Sequence, residues 1–175
     1  MNTRVALTLS IALLFGLVSV ANAQLRAGSP EDAAFTKITA EKDNDARLAL
    51  LLDFEKNFPT TNNRTLATVY MMAMDIYSEK NEKAKIAEYG DKAITKDPEN
   101  VSALLRVSRN YSAEKTNLAK AVEYAEKAKG LLGNMKSQPP PTGQTEEQWK
   151  QWVDANTSSA NQYAEYAKML QNQAK

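Results

Sequence analysis

Apolar residues recur every three or four positions through most of the chain, which is the period of helices with one buried face, and no run alternates as a half-buried strand does. Ser29-Pro30-Glu31-Asp32 opens the first helix, with Ser as cap, Pro in the first turn and acids following, and it runs to about Lys42. Asp43-Asn44-Asp45 caps a second helix whose Leu48, Leu51, Leu52 and Phe54, with Phe58 a turn on, form one face; Pro59 stops it. Asn62-Asn63 opens a third with Leu66, Val69, Tyr70, Ala73, Met74 and Tyr77. After Lys80-Asn81-Glu82 a fourth helix extends to about Lys96, and Asp97-Pro98-Glu99 opens a fifth carrying Val101, Leu104, Leu105, Val107 and Tyr111. A turn near Glu114-Lys115-Thr116 leads to a sixth, ending around Leu132-Gly133. Short helices joined by tight turns imply antiparallel hairpins.

The segments at either end differ. Val5 to Val20 is apolar apart from Thr8, Ser10, Gly16 and Ser19, follows Arg4, and precedes Ala21-Asn22-Ala23. That is the pattern of a secretory signal, residues 1–23, cut before Gln24. Sixteen residues are short for a membrane anchor, which needs ~20. Toward the other end, residues 134–144 contain Pro139-Pro140-Pro141 and form a stiff extended linker. Thr145-Glu146-Glu147-Gln148 is a capping box opening a final helix, residues 145–174 as a segment, helical to about Gln173. Its apolar line is Trp149, Val153, Ala160, Tyr163, Ala167 and Leu170, broken by Asn156.

Composition agrees with helices: 43% hydrophobic, 25% charged, with six Gly and six Pro in 175 residues. Lys and Arg number 22 against 21 Asp and Glu, so no basic excess exists to hold nucleic acid. Loss of residues 1–23 removes Arg4 and leaves the two signs balanced. The chain has no Cys and no His. That excludes disulfides, thiolate or imidazole metal sites, and Ser-His or Cys-His catalysis. Ser112-Ala113-Glu114-Lys115 matches a Ser-x-x-Lys motif without the accompanying elements such enzymes need. Glu146 and Glu147 are adjacent on a helix and point apart, and Asp43, Asn44 and Asp45 lack the spacing of a calcium loop. The expectation is no enzyme, no cofactor and no metal.

Self-comparison gives a period. Tyr77 and Tyr111 are 34 apart; Tyr89 and Tyr124 are 35 apart, as are Ala93 and Ala128. An earlier copy ends in Phe54-Glu55-Lys56-Asn57-Phe58-Pro59, answering Ala93-Ile94-Thr95-Lys96-Asp97-Pro98. With this period and these residues the stretch 29–133 resembles the tetratricopeptide family. Tyr70 stands at the family's large aromatic position, Ala73 and Met74 at its Leu-Gly pair, Tyr77 at its Tyr, Ala93 at its small residue and Pro98 at its closing Pro. Met74 in place of Gly, and Ile86 where Ala is usual, imply slightly wider packing; the third copy has one inserted residue and ends in Gly133, and the first is degenerate. The linker and tryptophan-bearing helix resemble secreted bacterial members, in which such a helix starts a further repeat. Here it is either a terminal cap or the start of a shortened array.

The resemblance implies an all-α, right-handed α-solenoid of about three helical hairpins plus a long C-terminal helix. It also implies a scaffold holding a protein or peptide on its concave face, and the signal segment places it in the periplasm or outside the cell, without a stable membrane anchor after cleavage. Placing the copies through Tyr77 and Tyr111 puts Thr68, Met71, Met72, Asp75 and Ser78, and Ser102, Leu105, Arg106 and Arg109, on that face. Met71, Met72, Asp75, Leu105, Arg106 and Arg109 are the candidate partner-binding residues. Peptide-holding relatives clamp a terminal carboxylate with Lys and Asn, where this chain has Met71 or Leu105 and Asp75, so the full clamp is absent. Arg106 and Arg109 share a face and offer two guanidinium forks, unless they pair with Asp75 or only solvate the surface. The alternative reading is a small-ligand-binding or envelope-assembly accessory protein with a pocket near Trp149 and Trp152.

Overall fold

The computed structural model describes residues 25–173; the signal-segment expectation for residues 1–23 lies outside them. The described residues are all-helical: α1 (Pro30–Ala40), α2 (Asn44–Asn57), α3 (Asn63–Glu79), α4 (Lys83–Lys96), α5 (Val101–Ala113), α6 (Leu118–Met135) and α7 (Glu146–Gln173). Helix accounts for 77% of them, without a strand. Each helix packs on the next in sequence, and α7 also packs on α5. None is long and apolar enough to cross a membrane.

The helix starts follow from side-chain caps. Ser29 accepts from the Asp32 N–H, Asp43 from Ala46 and Asn62 from Thr65. Thr145 and Gln148 form the reciprocal capping box, with 3.0 and 3.2 Å bonds. Three boundaries move from their expected places. α1 stops at Ala40 because the Glu41 carboxylate turns to cap the Lys42 and Asp43 N–H groups. Asn100, not Asp97, caps α5 by accepting from the Ala103 N–H, while Asp97 closes α4. α6 continues through Gly133 to Met135, since Leu132 is fully buried and Leu131 and Met135 pack on the core. That burial outweighs the ~1 kcal/mol cost of a glycine in a helix.

The turns within the second and third hairpins are copies of one another. Glu82 N–H donates to Tyr77 C=O at 2.9 Å, and Thr116 N–H to Tyr111 C=O at 2.9 Å. Asn81 and Lys115 between them take left-handed backbone, φ 58° and 51°. Both are Schellman turns, 34 residues apart, made without the glycine that usually announces them. Both fall where the sequence placed its turns, at Lys80-Asn81-Glu82 and near Glu114-Lys115-Thr116, though nothing in the sequence showed their left-handed residue.

One core runs along the chain. Leu66, Val69, Tyr70, Ala73, Met74 and Tyr77 of α3 are buried, as are Val101, Leu104, Leu105, Val107 and Tyr111 of α5. Leu52, expected on the inner face of α2, is instead 37% exposed; Leu51 and Phe54 point inward and Leu52 sits beside that face. Met74, expected at a position usually held by a glycine, is fully buried, and a glycine stands opposite it. A β-carbon built on Gly90 of α4 would lie 3.1 Å from Met74 Sδ and 2.1 Å from Val107 Cγ2. Met74 therefore fills the space that Gly90 leaves, and Gly90 is where α4 meets α5.

Candidate functional site

The second helices of the hairpins carry acids that join each hairpin to the next. Glu55 on α2 accepts from Lys92 Nζ at 2.9 Å and Tyr89 Oη at 3.3 Å, both on α4. Asp91 on α4 accepts from Tyr111 Oη (2.7 Å) on α5, and from Lys120 Nζ (2.9 Å) and Tyr124 Oη (3.0 Å) on α6. Glu126 on α6 accepts from Lys168 Nζ on α7 at 2.6 Å. The three acids are 36 and 35 residues apart, close to the 34 and 35 of the tyrosines. Lys92 also lies 4.3 Å from the centre of the Tyr89 ring, which packs at 5.2 Å on Tyr77.

Burial and Asp91 together push the Tyr111 hydroxyl up to about 12, and burial with the Asp91 charge raises Tyr124 also. Burial and Glu55 raise Tyr89. Burial opposes the charge of Lys92, but hydrogen bonds to Glu55 and Glu88 outweigh it and raise the ammonium. Unfolded tyrosine loses its proton near 10, before native Tyr111 does. Stability is therefore full below pH 10 and falls as pH rises toward 12, by ~2 kcal/mol from Tyr111 alone. Thermal melts across that range should show the fall, and Tyr111→Phe should flatten it; an unchanged slope in the variant would assign the loss elsewhere.

A groove of about 380 Å3 beside this ladder is lined by Tyr70, Glu88, Asp91, Lys92, Thr95 and Lys96. Glu88 pairs with Lys85 and Lys92, and Asp91 is held as above, so its main charges already serve the fold. A smaller space of about 200 Å3 lies between α1 and α2, among Pro30, Ala34, Leu50, Phe54 and Phe58. Trp149 and Trp152 stack on each other, 5.2 Å between ring centres and 4° apart, with no room for a ligand between the rings. Ser112 of the Ser-x-x-Lys motif is buried and donates to the Ser108 carbonyl at 2.9 Å, while Lys115 lies past the end of α5.

The six candidate partner residues divide. Arg106 of α5 forms an ion pair with Asp75 of α3, which brings the two helices' outer faces together. Arg109 is exposed and makes no ion pair or hydrogen bond among the described residues. Met71 and Met72 are half-buried against the core with part of each side chain outside. Leu105 does not belong to the surface: at 5% exposure it is a core residue, because its position on α5 turns it inward from the Arg106–Arg109 stripe. Arg64 was missed. It is exposed and lies on the α3 stripe 64, 68, 71, 75, whose spacing of four, three and four residues was readable in the sequence. No protein-family model and no curated protein matches the chain, so its assignment rests on the residues themselves.

Proposed function

We propose that the chain is a non-catalytic tetratricopeptide scaffold, exported from the cytoplasm, that binds a protein or peptide on the face shared by α3 and α5. Its hairpins stack as a right-handed α-solenoid in this reading. Support for the repeat comes from the two 34-residue-spaced Schellman turns and from the acids of α2, α4 and α6 at matching intervals. The observation that carries the binding face is Arg109, an exposed and unpartnered guanidinium one turn from Arg106, whose partner Asp75 stands one turn from half-buried Met71 on α3. This surface has charge that the fold does not use. Flexible methionines give it apolar area that adapts to different side chains.

The test is the double variant Arg106→Glu and Arg109→Glu, compared with the parent in capture of partners from an extract of exported proteins and then by titration calorimetry. Thermal stability should stay within a degree or two, as the residues are exposed. Partner affinity should fall at least ~10-fold, ~1.4 kcal/mol. Wild-type affinity in the double variant would place the binding face elsewhere.

A further inference from the structure

The α3/α5 face holds an ion pair in a place where a partner would need the cation. Arg106 is 38% and Asp75 52% exposed at the side chain, and both stand on the outward stripes of their helices. Exposed pairs of this kind contribute little to folding and open readily. Along the same stripes lie Arg64 and Arg109, each without an ion pair among the described residues. Arg64 is in the first turn of α3, where the helix dipole favours an acid, so helix stability does not account for it. The other acid on the α3 stripe, Glu79, stands at its far end and accepts from the Asn44 side chain of α2, so guanidinium groups outnumber acids on the two stripes, Arg64, Arg106 and Arg109 against Asp75 and Glu79. The unengaged charge of this face is therefore positive, with Asp75 as the group that masks it.

We propose that Asp75 acts as an internal competitor for an acidic polypeptide partner, holding Arg106 until a ligand carboxylate displaces it. This rests on the α3/α5 face being the partner site. Guanidinium forks at 106 and 109, three residues apart on one helix, accept carboxylates of a side chain or of neighbouring side chains in parallel. Met71 and Met72 lie one turn before Asp75 on α3, partly outside the core, and suit apolar residues interspersed among those acids. Removing the Asp75 charge both frees Arg106 and deletes a repulsion, so it tightens binding instead of loosening it. A merely structural ion pair would do the reverse or nothing.

The experiment measures fluorescence anisotropy of a labelled twelve-residue peptide of alternating Glu and Leu, with its Lys-for-Glu counterpart as control. The mature full chain, Asp75→Asn, and Asp75→Asn with Arg109→Gln are compared, each checked by thermal melt. The proposal expects Asp75→Asn to bind the Glu peptide at least ~5-fold tighter than the parent, the added Arg109→Gln to cancel that gain, and the Lys peptide to bind weakly throughout. An unchanged or weaker affinity of Asp75→Asn for the Glu peptide overturns it. So does equal or better binding of the Lys peptide, or failure of Asp75→Asn to bind either peptide. If Asp75→Asn has no effect while the Arg106→Glu, Arg109→Glu variant loses its captured partner, the face stands and the competitor falls. If that double variant keeps its partner, the face itself falls.

Discussion

Gly90→Ala is expected to destabilise the protein by ~2 kcal/mol, where the same change in an ordinary helix interior stabilises by up to ~1. The added methyl would begin 2.1 Å from Val107 Cγ2 and 3.1 Å from Met74 Sδ. Met74 is flexible enough to yield. Val107 is fully buried and β-branched on a helix, with one strongly preferred rotamer, so α4 and α5 must separate. For a chain of this size the loss lowers Tm by roughly 4–8 °C. Val107→Ala should recover part of it in the double variant, because the space removed at one position is returned at the other. The two changes should then couple by about 0.5–3 kcal/mol. A Gly90→Ala melt at or above the parent Tm would mean that the close approach of α4 and α5 is not a real constraint.

Asp91→Ala is expected to cost roughly 2–4 kcal/mol, because three donors lose one acceptor together. Tyr111 and Tyr124 are 3% and 9% exposed, so their hydroxyls cannot fully recover the loss from water, and Lys120 keeps its charge without a counter-ion. Glu126→Ala is the internal comparison. Its acid occupies the corresponding place one period on, but its pair with Lys168 is exposed on both sides and should be worth less than ~1 kcal/mol. Urea unfolding measures both. Equal effects from the two variants would show that the ladder gains nothing from burial at its middle rung.

The helices were legible because their signals are local. Ser at 29, Asn at 62 and Thr145 with Gln148 set their starts through bonds that reach only three residues, and all three appear as expected. At α5 the start was read at Asp97-Pro98-Glu99, whereas Asn100, three residues further on, makes the cap. The spacing of tyrosines gave the period, yet the partners of their hydroxyls required knowing that Glu55 and Asp91 face the following hairpin. Gly90 was invisible for a related reason. Its role depends on Val107, seventeen positions away, and a glycine beside a tyrosine on a helix carries no mark of what crosses it. The candidate face was half legible: placing the copies on the repeat pattern put Arg106, Arg109 and Asp75 outside, where they stand, but also Leu105, which is buried. A position at the margin of a stripe turns in or out according to the neighbouring helix, which periodicity does not contain.

Stability is unevenly distributed along such a chain, and α1 shows how. Its extensive contact is with α2, and among its own residues only Ile38 is buried, whereas α5 is packed on α4, α6 and α7. Opening α1 exposes little apolar surface, while opening α5 unzips three contacts at once. Local opening free energy therefore climbs from the amino-terminal hairpin toward the carboxyl-terminal half. The Arg106 and Arg109 guanidinium groups are mounted on a helix braced by three others, so their separation persists through fluctuations that fray the first hairpin.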